Sequence, residues 1–194
     1  MLAALYVGAI ALGAGSAWVL LHSVSGPAAG GVAVGPWRTS LLTGSPDADL
    51  YTRARIALGA LLALSRDETM YYLAQADSDG RALRSACRYR VSGPAPAARW
   101  WSVTAYADDH FLFDNPQRRY SLNSRHAILD VQGRFALVSG PDVAGQPGDG
   151  ATWLPTPGDR GLVFALRLYN PQPELASAPG SLAAPRIERL GDCA

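Results

Sequence analysis

RWWSVTAYADDHFLFDNPQRRYSLNS, residues 99–124, is an aromatic stretch of period two that runs into a turn rich in Asp, Asn, Pro and Arg. Side chains alternate across a strand. Residues 99–107 read as a strand that sends Trp101, Val103 and Ala105 to one face and Trp100, Ser102, Thr104 and Tyr106 to the other. The first set is apolar and suits a core. The second combines flat rings with hydroxyls, a surface suited to stacking on a sugar or another small polar molecule, or to packing beneath a loop. Asp108-Asp109-His110 and Asp114-Asn115-Pro116 are turn-forming types, and Arg118 or Arg119 is placed to pair with their carboxylates. A long polar loop on a β scaffold is also where binding residues gather. Trp100, Tyr106, Asp109, His110, Asp114, Arg118 and Asn123 are therefore the candidate ligand-binding residues, with Tyr106, Asp109, Arg118 and Asn123 expected to share one pocket.

Outward from this stretch the period stays at two. Residues 69–76 and 82–91 flank Asp77-Ser78-Asp79-Gly80 and read as a hairpin. Residues 126–131 and 134–139 flank Gln132-Gly133 in the same manner, and residues 161–169 form a further strand. Residues 141–150 and 156–160 are loops by their Gly and Pro content. Before the strands, Ser45 as N-cap, Pro46 at the first helical position and apolar residues at helical spacing predict a helix over 46–64. One helix followed by many short strands predicts a mainly β domain, an antiparallel sandwich or jelly-roll-like body.

The 99–124 stretch, Trp153-Leu154-Pro155 and Arg167-Leu168-Tyr169-Asn170-Pro171-Gln172-Pro173 together resemble the signature of the Domain of Unknown Function 1214 family. The resemblance runs from about residue 35 to 189 and implies an all-β body. It also implies relatives in which a second domain precedes this one, for which the present sequence has no room.

Residues 2–21 carry no charged side chain, with Tyr6 and Trp18 near the two ends. About 20 apolar residues cross a hydrocarbon core, and amphipathic rings favour its interfaces. An anchor over residues 1–22 fits better than a cleaved signal, which has a basic start and a shorter apolar region. Residues 23–36 are small and uncharged and predict a flexible spacer, leaving 37–194 as one domain. No Lys or Arg precedes Arg38, so orientation rests on the two cysteines, Cys87 and Cys193. A bridge between them, in an oxidising compartment, staples the C-terminal tail to the body. The combined expectation is a bacterial inner-membrane protein with its soluble domain in the periplasm.

The chain has 194 residues, 48% hydrophobic and 17% charged, enough for one core, and its net charge of +1 draws it to no nucleic acid. All its side-chain cations other than His are Arg. Asp77-Ser78-Asp79-Gly80 lacks the later ligands of a calcium loop, and the three histidines have no zinc spacing. No nucleophile elbow, P-loop or dinucleotide fingerprint is present, so no cofactor or metal is expected. The expected role is a binding or accessory module for a small polar or glycan-like ligand. The alternatives are a hydrolase of glycans or related envelope material, with Asp109 and Asp114 as acid and base, and a purely structural envelope protein.

Overall fold

The computed structural model describes residues 2–22, 31–58, 63–141 and 151–193. The first element, α1 (Leu2–His22), has 21 residues and reaches about 32 Å at 1.5 Å per residue, close to the hydrocarbon thickness of a bilayer. Its span Leu2–Val19 has a mean hydropathy of 1.7 and none of it is buried against the domain. The hydroxyl of Ser16 donates to the carbonyl of Gly13 at 3.0 Å, so this polar group is satisfied within the helix. By length and composition α1 is a candidate membrane anchor; a signal sequence near an N-terminus has the same properties.

Among the described residues ten strands follow: β1 (Gly31–Val34), β2 (Trp37–Ser40), β3 (Thr69–Ala74), β4 (Tyr89–Pro94), β5 (Ala98–Ala107), β6 (Ser121–Asn123), β7 (Arg134–Gly140), β8 (Thr152–Pro155), β9 (Leu162–Pro171) and β10 (Arg186–Arg189). Two short helices complete the described elements, α2 (Leu50–Leu58) and α3 (Pro173–Ser177), with a 3-10 turn at Pro179–Ser181. Six strands form one sheet in the order β1-β2-β3-β9-β5-β6, and four form a second in the order β10-β4-β7-β8. The fold is mainly β, and the sheets are antiparallel except where β8 runs parallel to β7.

The core lies between the sheets, where alternate side chains of the facing strands meet, and on β3, β5 and β9 several residues of the opposite face are buried as well. Trp37, Tyr72, Trp101, Val103, Phe164, Leu166 and Leu168 come from the six-stranded sheet, and Tyr89, Val91, Phe135, Leu137, Leu154 and Ile187 from the other. Trp101 meets Phe135 with ring centroids 4.6 Å apart, and Tyr89 meets Phe164 edge-on at 6.4 Å. Polar atoms carried into this core are satisfied locally. The indole N–H of Trp37 donates to the carbonyl of Pro185 at 2.7 Å, and the hydroxyl of Tyr72 to that of Pro179 at 2.8 Å. Burial pushes the Tyr72 phenol up to about 12.

Several expectations change. Of the predicted spacer, residues 31–34 form β1, because a two-residue turn with Gly35 at φ +58° returns the chain into β2; residues 23–30 lie outside the described residues. The helix predicted over 46–64 is described as Leu50–Leu58, with 59–62 outside the described residues. Asp49 caps it in place of Ser45, since its carboxylate accepts from the amides of Tyr51 and Thr52 and from the Thr52 hydroxyl. Those bonds, the Thr52 hydroxyl foremost, hold the Asp49 carboxyl below the usual carboxylate range. The Asp77–Gly80 turn forms, with Gly80 at φ +85° and its amide donating to the Asp77 carbonyl at 3.0 Å. The two predicted strands nevertheless meet only at an Ala76–Ala82 bridge and part into different sheets. The chain is drawn away at Ser85, which is fully buried and bonded to Gly158 and Arg160. Residues 126–131 likewise pair only through a Leu129–Phe135 bridge and form no strand. Of the loop predicted over 141–150, residues 142–150 lie outside the described residues. Cys87, fully buried, is joined to Cys193 in a disulfide across a sequence separation of 106.

Candidate functional site

The face of the six-stranded sheet turned away from the core carries a concentrated set of aromatic and polar groups. Register aligns Trp100 with Tyr169, Ser102 with Arg167 and Thr104 with Ala165 between β5 and β9, and Tyr71 with Arg167 between β3 and β9. Trp100 and Tyr169 pack edge-on with centroids 5.0 Å apart. The Arg167 guanidinium lies between two rings, 5.2 Å from the centre of Tyr106 and 5.9 Å from that of Tyr71, and its Nη2 donates to the Tyr106 hydroxyl at 3.0 Å. Ser102, Thr104 and Ala165 are buried at the floor of this face. The Tyr71 phenol is raised, first by burial and then by Tyr169, with Arg167 opposing.

Beyond β5 the loop holds itself together through its own side chains. Asp109 accepts from the Phe111 amide at 3.1 Å and pairs with Arg160, whose guanidinium lies 5.8 Å from the centre of the Phe113 ring. Gly161 sits so close to Asp108 that a Cβ there would come within 2.8 Å of its carboxylate, which explains the glycine. Asn115 is nearly fully buried: its amide donates to the carbonyls of Phe113 and Arg119 and accepts from the Arg119 amide at 3.0 Å. His110 and Arg118 take left-handed backbone at φ +70° and +50°. Replacing Asn115 by Ala is expected to cost about 2 kcal/mol, because two carbonyls and an amide lose their partners in a half-closed loop; a denaturant melt measures it.

A groove of about 600 Å³ opens where the edge strands β6 and β8 meet, lined by Arg118, Arg119, Tyr120, His126 and Trp153 among others. Arg119 reaches across it to the Trp153 carbonyl at 3.4 Å.

Five of the seven residues singled out from the sequence fall into three places. Trp100 and Tyr106 share the sheet face, Asp109 and His110 sit in the turn after β5, and Arg118 lines the groove. Tyr106, Asp109 and Asn123 do not line that groove. Asn123 accepts from the Arg125 amide and faces Nδ1 of His126, each at 3.0 Å. Asp114 is exposed and makes no hydrogen bond or ion pair among the described residues. Among the described residues no group of three or more His, Cys, Asp or Glu is placed to hold a metal ion. Sequence reasoning missed Tyr71, Arg167 and Tyr169 as members of the sheet face. The one signal available was Arg167-Leu168-Tyr169, whose alternation puts Arg and Tyr on a common side.

A family model described as "Protein of unknown function (DUF1214)" matches residues 68–173, more than half of the chain. The chain belongs to the DUF1214 family. The DUF1214 match runs from just before β3 to the start of α3, narrower than the 35–189 expected, and holds the whole sheet face and the Asn115 loop. It includes Cys87 but not Cys193, so the disulfide ties the matched region to a segment beyond it. Among solved structures the chain is similar to the VPA0106 protein from Vibrio parahaemolyticus, with a TM-score of 0.61 and 24% identity over 75% of this chain. That likeness is one of fold, and the chain spans 36% of the length of the Vibrio protein. A putative uncharacterized protein from Burkholderia cenocepacia aligns with a TM-score of 0.40 and 15% identity over 76% of this chain and 44% of its own. None of the curated proteins matches the chain.

Proposed function

We propose that this DUF1214 chain is a membrane-tethered binding or accessory module of the bacterial envelope, with its domain in the periplasm and a small polar or glycan-like ligand seated on the outer face of the six-stranded sheet. One observation carries the reading. Trp100, Tyr169 and Tyr106, each partly exposed, and the buried Tyr71 lie on a common face beside Arg167, with hydroxyls among them, which is the form a small polar ligand site takes. The periplasmic part rests on α1 together with the Cys87–Cys193 bridge, since disulfides persist in oxidising compartments. The geometry gives no support to Asp109 and Asp114 as an acid–base pair, because Asp109 pairs with Arg160 and Asp114 is exposed with no partner among the described residues.

The test uses the full chain in detergent micelles, titrated with glucose, cellobiose and glucuronate and followed by calorimetry. Saturable binding of at least one sugar is expected, weakened about tenfold by Trp100→Ala and by Tyr106→Ala, a loss of about 1.4 kcal/mol each. No binding of any of the three, or binding indifferent to both substitutions, would remove the proposal.

A further inference from the structure

We infer that the ligand of this face carries a carboxylate, as in an acidic sugar, and that the Arg167 guanidinium is the group that grips it. The inference rests on the proposed binding face and adds the charge of its occupant.

Arg167 lies on β9 in the interior of the six-stranded sheet, flanked by β3 and β5, and is partly buried there. A guanidinium placed there gives up hydration and normally recovers it through a carboxylate. Five other arginines, most of them with exposed side chains, meet carboxylates, Arg81 and Arg186 at Asp79, Arg84 at Asp159, Arg160 at Asp109 and Arg189 near Asp77, while Arg38, Arg53 and Arg119 bond to backbone carbonyls. Arg167 has two tyrosine rings and one tyrosine hydroxyl instead, and no carboxylate among the described residues. Of its five N–H donors in a planar fork, one is engaged among the described residues.

Contact with the two rings also restrains the guanidinium, so less side-chain freedom is lost when two coplanar oxygens approach. A planar carboxylate fits that fork through two parallel N–H···O bonds. Trp100 and Tyr169 stand one step along the sheet from Ser102 and Arg167, within reach of a ring attached to that carboxylate. An acidic sugar combines the two features, a flat apolar ring face and a carboxylate at its edge.

The experiment compares glucuronate with glucose and acetate on the full chain in micelles, at low and at 0.5 M salt. Glucuronate is expected to bind at least tenfold tighter than glucose, and salt is expected to erode that margin. Arg167→Gln is expected to bring glucuronate to the level of glucose while leaving glucose unchanged. Arg167→Lys keeps the charge without the fork and is expected to lose most of the margin; it carries the test if the Gln variant fails to fold. Equal affinities for glucuronate and glucose in the native chain, or a margin that survives both Arg167 variants, would overturn the inference and leave the binding face standing. Binding of acetate as tight as glucuronate would show a bare anion site with no sugar contact and would overturn the acidic-sugar assignment. Absence of binding by all three would sink the face and the inference together.

Discussion

Replacing Cys193 by Ser is expected to lower the unfolding free energy of the domain by about 4 kcal/mol. The Cys87–Cys193 bridge closes a sequence separation of 106 residues, and the chain-entropy model assigns a loop of that length about 4.7 kcal/mol, within the range of about 2–5 kcal/mol found on removing native disulfides. The effect is large because Cys193 ends a tail whose other attachments are few. β10 adds only four residues to the edge of the smaller sheet, next to β4, and the chain then leaves the sheet. Ser78 supports β10 from outside, accepting from the Ile187 amide at 2.9 Å and donating its own amide to the Ile187 carbonyl. A denaturant titration of Cys193→Ser beside the oxidised parent checks the figure, and non-reducing peptide mapping of the chain from its native compartment checks the bridge. Two free thiols in that material would take away the main argument for a periplasmic domain; an unchanged titration midpoint would show the tail to be held by β10 alone.

Trp101→Ala and Trp100→Ala are expected to differ sharply although the residues are adjacent. Trp101 is buried between the sheets against Phe135, and removing such a side chain costs about 3–5 kcal/mol through lost burial and the cavity left behind. Trp100 lies on the opposite face in an edge-on pair with Tyr169, and its loss is expected to cost about 1 kcal/mol, the worth of an aromatic pair with partial burial. Melting curves of the two variants decide the matter. Comparable losses would mean that the outer face is packed as tightly as the core, and the binding reading would give way to a structural one.

The contrast between the tryptophans was legible in residues 99–107, because a strand exposes its two faces by parity and parity is local. Turn chemistry was legible for the same reason. Asp77–Gly80 closes where Gly80 meets the need for positive φ, and Asn115 staples its loop with the short amide that makes Asn a turn residue. The cap of α2 was misplaced by four residues because Ser45 and Asp49 are both competent, and only Asp49 finds Thr52 three positions on. The two predicted hairpins shrank to single bridges because a turn dictates the return of the chain but not how far the strands stay together.

By itself the sequence determined the apolar length of α1, the alternation of β5 and β9, the positions of the turns and the supply of two cysteines. Each of these depends on residues within a few places of one another. The tertiary structure decided which strands became neighbours, and with it the site. Arg167 meets the Tyr106 hydroxyl from 61 residues away, and Tyr71 joins them from β3. No local term encodes that meeting. It follows from β9 burying Phe164, Leu166 and Leu168 between β3 and β5, which brings every second residue of three distant segments onto one outer face.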